Sequence, residues 1–217
     1  YSEDLRIGPE IIKKQVDSYR RLRNTLRWLL GNLSHYDPAR RVAAADMPEL
    51  ERWVLHRLAE LDGEVRAGYR AYDYQGVFQR IFTFATSDLS AFYFDIRKDA
   101  LYCDGADSLR RRACRTVLDA LFARLTTWLA PMLVFTAEDV WLSRHPSEDG
   151  SVHLHDFPDT PADWRDAGLA AKWARVRQVR RVVTAALEVA RRDKVIGASL
   201  EAAPRVHVAD AGLRAAL

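Results

Sequence analysis

Asp88-Leu-Ser-Ala-Phe-Tyr-Phe-Asp-Ile-Arg-Lys-Asp-Ala-Leu-Tyr-Cys-Asp104 is the stretch on which the reading of this chain turns. Leu89, Phe92, Tyr93 and Ile96 recur at three-and-four spacing, which gathers them on one face of a helix. The far end carries Arg97, Lys98 and Asp99, then Leu101 and Tyr102. An apolar stripe running into a charged, aromatic tip suits RNA, because cations meet phosphates and a ring stacks on an unpaired base. Asp95 and Asp99 lie beside Arg97 and Lys98, so they read as surface salt-bridge partners rather than as a catalytic carboxylate pair.

Helical periodicity extends to both sides. Gly8-Pro9 opens a first helix with proline at its favoured position, and Gly31 suits its end. Ile12, Val16, Tyr19, Leu22, Leu26 and Leu29 form its apolar face. Asp37-Pro38 and Met47-Pro48 mark a loop over residues 33–47. A second helix is predicted over about 49–71, where Gly63 and Gly68 each cost about 1 kcal/mol relative to Ala. A third, about 75–97, contains the opening motif. A fourth, about 107–130, has Asp107 or Ser108 as cap and Val117, Leu121, Leu125 and Trp128 inward, until Pro131 ends or kinks it.

Thr136-Ala-Glu-Asp139 reads as a capping box for a short helix through Leu142. Thr160-Pro-Ala-Asp163 opens a long helical region reaching Lys194, with a break expected near Gly168. Residues 151–157 alternate like an extended segment, and Arg205-Val-His-Val208 reads as a strand. Long amphipathic helices joined by short loops predict an all-α, up-and-down antiparallel bundle with a short β segment near the C-terminal end.

With 217 residues, 48% of them apolar, the chain can bury a substantial core and is not a disordered segment. The longest apolar run, residues 128–135, is far below the roughly 20 residues a membrane span needs. No charged-then-apolar leader opens the chain. Two cysteines, Cys103 and Cys114, argue for a reducing cytoplasm over a disulfide scaffold. Net charge is only +3, yet residues 172–194 carry +6 and residues 6–27 carry +5. Arg110, Arg111, Arg112 and Arg115 form a third basic cluster, while acids gather in residues 148–166. Separation of this kind makes local positive fields that attract polyanions, although helices also wear arginines on solvated faces.

The segment 88–104 closely resembles the "DLSAFYxDIxKDxLY" segment of isoleucyl-tRNA synthetases, in their helical anticodon-binding domain. Asp4-Leu-Arg-Ile-Gly-Pro-Glu10 and Tyr19-Arg-Arg-Leu-Arg-Asn-Thr-Leu-Arg-Trp-Leu-Leu-Gly-Asn-Leu33 resemble the family's segment just beyond its KMSKS loop. Residues 51–58 and 127–141 resemble two further helices, and Lys194-Val-Ile-Gly-Ala-Ser-Leu-Glu-Ala202 the strand after its last long helix. These matches keep the family's order over about residues 1–203. Valyl and leucyl enzymes share the Trp-Leu-Ala-Pro plan, so it is residues 88–104 that point to isoleucine.

The resemblance implies a connecting, stem-contacting helix and loop over 1–45, an anticodon-binding bundle over 46–194, and the start of a small, truncated C-terminal module over 195–217. It implies isoleucine tRNA as partner of a cytoplasmic monomer, with no DNA and no membrane. The parent enzyme would be a ligase using ATP and Mg, and many bacterial members carry zinc in a C-terminal module beyond this chain. HIGH and KMSKS signatures do not occur here, nor does a Gly-rich phosphate loop, so this stretch is expected to be catalytically silent and to need no cofactor. The alternatives are the equivalent domain of a valyl or leucyl enzyme, or a helical protein-interaction module.

Candidate RNA-binding residues are Arg20, Arg27, Arg97, Lys98, Tyr102, Arg177, Arg180, Arg181 and Lys194. Arg20, Arg23 and Arg27 fall along one side of the first helix and could track a phosphate backbone; equally, Arg23 and Asn24 could tie that helix to its neighbours. Arg177, Arg180 and Arg181 lie within about a turn, with Val176, Val179, Val182 and Val183 expected to hold their helix down. Trp53, Trp128, Trp141 and Trp173 read as core, and Tyr102 as a stacking residue. His153 and His155 could share one face of a strand, but no further ligands accompany them, so no metal site is expected.

Overall fold

The computed structural model describes residues 7–217, so the first three residues of the resemblance at 4–10 lie outside it. The described chain is helical, with no strand among the described residues. It divides into two compact units, one up to Arg165 and one from Asp166 onward. The first helix shares the first unit with the helices that follow it.

The first unit comprises α1 (Pro9–Leu33), α2 (Glu49–Arg70), α3 (Tyr74–Thr83), a π-helical segment (Phe84–Phe94), α4 (Asp95–Cys103), α5 (Leu109–Leu129) and α6 (Val134–Arg144). Helices α1, α2, α4 and α6 all pack against α5. Val117, Leu118, Leu121, Phe122, Leu125 and Trp128 of α5 are accordingly inaccessible to solvent, as befits a helix surrounded by others. Ser108 caps α5, its hydroxyl accepting from the Arg111 amide.

Several ends fall elsewhere than the sequence predicts. Helix α1 runs past Gly31 and stops at Leu33, where the following chain puts His35 in the left-handed region at φ 55°. Only its second half packs: Leu22, Leu26 and Leu29 are buried, whereas Ile12, Val16 and Tyr19 are exposed. Helix α6 starts two residues before the expected Thr136 cap; the Thr136 hydroxyl instead bonds Tyr19 Oη at 2.9 Å. Residues 151–157 are not extended, since Val152–Leu154 forms a 3-10 turn capped by Ser151. Thr160 opens no helix; it accepts a hydrogen bond from Arg124, and a 3-10 turn at Ala162–Trp164 follows.

The third predicted helix is continuous from Tyr74 to Cys103 but changes to π geometry over Phe84–Phe94. A turn closed i→i+5 holds about one residue more than an α turn, so the buried face slips in phase. Leu89, Phe92 and Tyr93 are buried as expected, but Phe94 is buried in place of Ile96, which is exposed. The turn into α3 needs Tyr72 at φ 58°, with Asp73 accepting from the Gly76 amide at 2.9 Å. Gly68 lets α2 approach α3: a Cβ there would sit 2.5 Å from Val77 Cγ2.

The second unit holds α7 (Ala167–Arg192) and α8 (Ala211–Ala215). The expected break near Gly168 is a helix start: Asp166 caps α7 through the Leu169 amide at 2.9 Å. Its end is a Schellman closure, with Lys194 left-handed at φ 58°, Val195 N–H donating to Ala190 O at 2.9 Å and Lys194 N–H to Arg191 O at 3.0 Å. The strand predicted at 205–208 does not form, because no other strand exists among the described residues to pair with it.

Candidate nucleic-acid interface

Helix α1 supplies a cationic ridge because its second half buries only one side. Leu22, Leu26 and Leu29 face the core, which leaves Arg20, Arg21, Arg23, Asn24 and Arg27 exposed. Arg20 pairs with Asp17 at 3.4 Å, both side chains more than half exposed, so the pair contributes well under about 1 kcal/mol. Arg21, Arg23 and Arg27 donate to no acid among the described residues, so their charges stand open to a polyanion.

A groove flanks the ridge on each side. Towards the π segment and α4 lies a cleft of about 580 Å³, bordered by Arg21, Asn24 and Trp28 from α1 and by Ser90, Lys98 and Tyr102 opposite. Trp28 stacks on Phe94 with ring centroids 3.8 Å apart and planes 18° from parallel, giving the cleft an aromatic wall. Lys98 is exposed and pairs with Asp95 at 3.1 Å, and Tyr102 is 64% exposed at the mouth. Towards α6 lies a second cleft of about 330 Å³, where Arg23 and Arg27 meet Phe135, a ring 90% exposed.

Among the predicted residues Lys98 and Tyr102 border the cleft towards α4, Arg27 borders the cleft towards α6, and Arg20 is exposed on α1 outside both. Arg97 lies apart from them. It turns inward, its side chain 13% exposed, and its Nε and Nη2 donate to Glu51 Oε1 and Oε2 at 2.6 and 2.7 Å. Burial works to lower its pKa, but the Glu51 hydrogen bonds and charge outweigh that and raise it. Tyr93 donates to the same Glu51 at 3.1 Å and lies 3.4 Å from Cys114 Sγ. Burial drives the Cys114 thiol up to about 12 and the Tyr93 hydroxyl well above its usual value.

The third basic cluster is likewise spent on structure. Arg110 clasps Asp104 at 2.8 and 2.5 Å, holding that carboxyl below its usual range, and Arg111 bonds the Asp104 carbonyl at 2.7 Å. Arg112 and Arg115 staple the loop after α1 through the carbonyls of Arg40 and Ser34. Arg124 is buried among the Asp159 carbonyl, Thr160 and the Trp164 ring, and burial pushes its pKa down to about 10.

In the second unit Arg181 and Lys194 are exposed, while Arg177 and Arg180 are half-buried and already engaged. Val176, Val179 and Val183 are half-buried, but Val182 is 68% exposed and holds nothing down. Trp53 and Trp128 are core residues; Trp141 is half-buried against Phe122, His145 and His155, and Trp173 is half-buried. His153 and His155 do not line a strand: His153 meets the Val134 carbonyl, and His155 packs on Trp141.

Periodicity alone missed Arg21, Asn24, Trp28, Ser90 and Phe135 as site residues. The spacing of Arg21, Asn24, Thr25 and Trp28 was a usable signal, since it puts them on one helical face. Phe135 carried none, because an aromatic at the end of the apolar run 128–135 reads as core.

A cationic ridge between two partly aromatic clefts on helical elements has the charge and ring surface that a nucleic-acid-binding domain uses. The sequence profile of the anticodon-binding domain of tRNA ligases matches residues 51–207, and the chain belongs to that family. It is 67% identical over 196 residues to the isoleucine–tRNA ligase of Ruegeria pomeroyi, covering 90% of this chain and 20% of that protein. Against the isoleucine–tRNA ligase of Agrobacterium fabrum the identity is 58% over 194 residues, 89% of this chain and 20% of that protein. For that of Gluconobacter oxydans it is 54% over 192 residues, 88% of this chain and 20% of that protein. The chain thus spans about one fifth of the length of the curated relatives it matches.

Proposed function

We propose that this chain is the tRNA-binding region of an isoleucine–tRNA ligase, the enzyme that joins isoleucine to its tRNA with ATP. The observation that carries the proposal is the 67% identity to such a ligase over nine-tenths of the chain. The open arginines of α1 support it physically. Its helices act as a bundle of the class I synthetase type.

Arg20, Arg21, Arg23 and Arg27 run along the phosphate backbone of the tRNA and fix its register without reading sequence. Arg181 and Lys194 add phosphate contacts from the second unit, with Arg177 and Arg180 contributing where their present partners allow. Bases splayed from an anticodon loop are read on their edges by polar side chains and held against aromatic or guanidinium planes. The region does no bond chemistry. Its binding energy holds the acceptor end of the tRNA at an active site elsewhere in the ligase, where ATP and Mg belong. The parent works as a cytoplasmic monomer.

Competition on a native gel tests this. Labelled isoleucine tRNA bound to the chain should be displaced by unlabelled isoleucine tRNA well before valine or leucine tRNA. Equal displacement by all three would assign the domain to another amino acid or to unselective binding. No shift at all would favour a helical protein-interaction module.

A further inference from the structure

We infer that the cleft between α1 and α4 receives a single unstacked base of the bound tRNA, with Trp28 and Phe94 as its wall and Tyr102 closing over it. This rests on the tRNA-binding reading above and gives one cleft a defined occupant.

Three observations converge on a nucleobase. The wall is aromatic: Phe94, buried at 6% exposure, backs Trp28 in a stack at 3.8 Å, and Trp28 stays half-accessible and so keeps π surface to offer. Flat π surfaces hold bases of any sequence, and each stacked base is worth roughly a tenfold change in affinity. Next, Asn24 and Ser90 border the cleft with no hydrogen-bond partner among the described residues. An amide offers both donor and acceptor and a hydroxyl either, which matches the edge of a base that has left its pair. Lastly, Arg21 and Lys98 stand on the rim, where a base swung into the cleft leaves its own phosphates. The sole acid lining the cleft, Asp95, pairs with Lys98 at 3.1 Å with both side chains more than half exposed, a contact weak enough for a phosphate to displace.

A duplex cannot enter this cleft, because its bases are stacked and only its grooves are presented. The occupant is therefore drawn from a loop or bulge. Tyr102 fits the part of a lid: it follows Lys98 by one helical turn on α4, and its ring is 64% exposed with no bond holding it elsewhere among the described residues.

Tyr102→Ala, Tyr102→Phe and Lys98→Ala, each checked by thermal melting, separate stacking from charge. Filter binding of isoleucine tRNA across a salt series gives affinity and slope, and base-directed chemical probing of the tRNA reports the base itself. Tyr102→Ala should bind roughly tenfold more weakly with an unchanged salt slope, and one unpaired base protected by the parent chain should regain reactivity. Tyr102→Phe should behave as the parent. Lys98→Ala should lower the slope by about 0.7 to 0.9. Unchanged affinity in Tyr102→Ala, or unaltered protection of every base, overturns the inference while leaving tRNA binding intact. Failure of the parent chain to bind tRNA at any salt overturns both.

Discussion

Glu51 and Arg97 form a two-bonded pair, 2.6 and 2.7 Å, whose carboxylate is wholly cut off from water. The pair ties α2 to α4 and thereby orients the neighbouring Lys98 and Tyr102 at the cleft mouth. Removing one partner leaves a buried charge uncompensated, which typically costs about 3 to 5 kcal/mol. Glu51→Gln should therefore lower stability by that order in urea unfolding. Arg97→Lys should not rescue function, because an ammonium cannot reproduce the fork. A loss under about 1 kcal/mol for Glu51→Gln would show the pair to be incidental.

Alkaline pH should unfold this protein earlier than its composition suggests. Cys114 is raised to about 12, and Tyr93 is raised too, both chiefly by burial. Their protonated forms are favoured in the fold, so the stabilisation is complete below the unfolded values. Between about pH 9 and 12 the unfolded chain loses the Cys114 proton while the fold keeps it. Stability then falls by up to about 1.4 kcal/mol per pH unit for that group. Urea midpoints should drop steadily above pH 9, and less steeply in Cys114→Ala. A midpoint constant to pH 11 would contradict this.

Two glycines on one helix should respond in opposite directions. Ala at Gly63 meets only Arg165 Nη2, at 3.5 Å, so Gly63→Ala should stabilise by about 0.5 to 1 kcal/mol through helix propensity. Ala at Gly68 would press to 2.5 Å on the stiff, branched Val77, so Gly68→Ala should destabilise despite the same propensity gain. Thermal melts of both variants check the contrast, and a rise in both would show α2 and α3 free to separate.

Substitutions among the arginines should sort by partner, not by charge. Arg23→Ala and Arg27→Ala should each reduce the slope of log affinity against log salt by about 0.7 to 0.9. Arg110→Ala should leave that slope unchanged, because its guanidinium already belongs to Asp104. A slope equally sensitive at Arg110 would move the RNA to another face.

Much of the fold was legible in the sequence, because apolar period and proline position are local. Pro9 sits at the first position of α1, and α2 and α5 run within a residue or two of their predicted ends. What period could not reveal was partner choice. Leu22 and Ile12 share one predicted stripe, yet only Leu22 finds a neighbour to bury it. Arg97 and Lys98 are adjacent cations in sequence, and only their phase on α4 decides that one meets Glu51 and the other solvent. The π geometry at Phe84–Phe94 shifted that phase, and no composition signal announces it. The Arg205–Val208 segment alternates like a strand, but a strand exists only where a second one pairs with it.

The most direct test of the central claim is a filter-binding series of isoleucine tRNA against this chain from low to moderate salt. If about five phosphates are neutralised, log affinity should fall with log salt at a slope of roughly −3.5 to −4.5. A flat response, or no retention of tRNA even at the lowest salt, would contradict it.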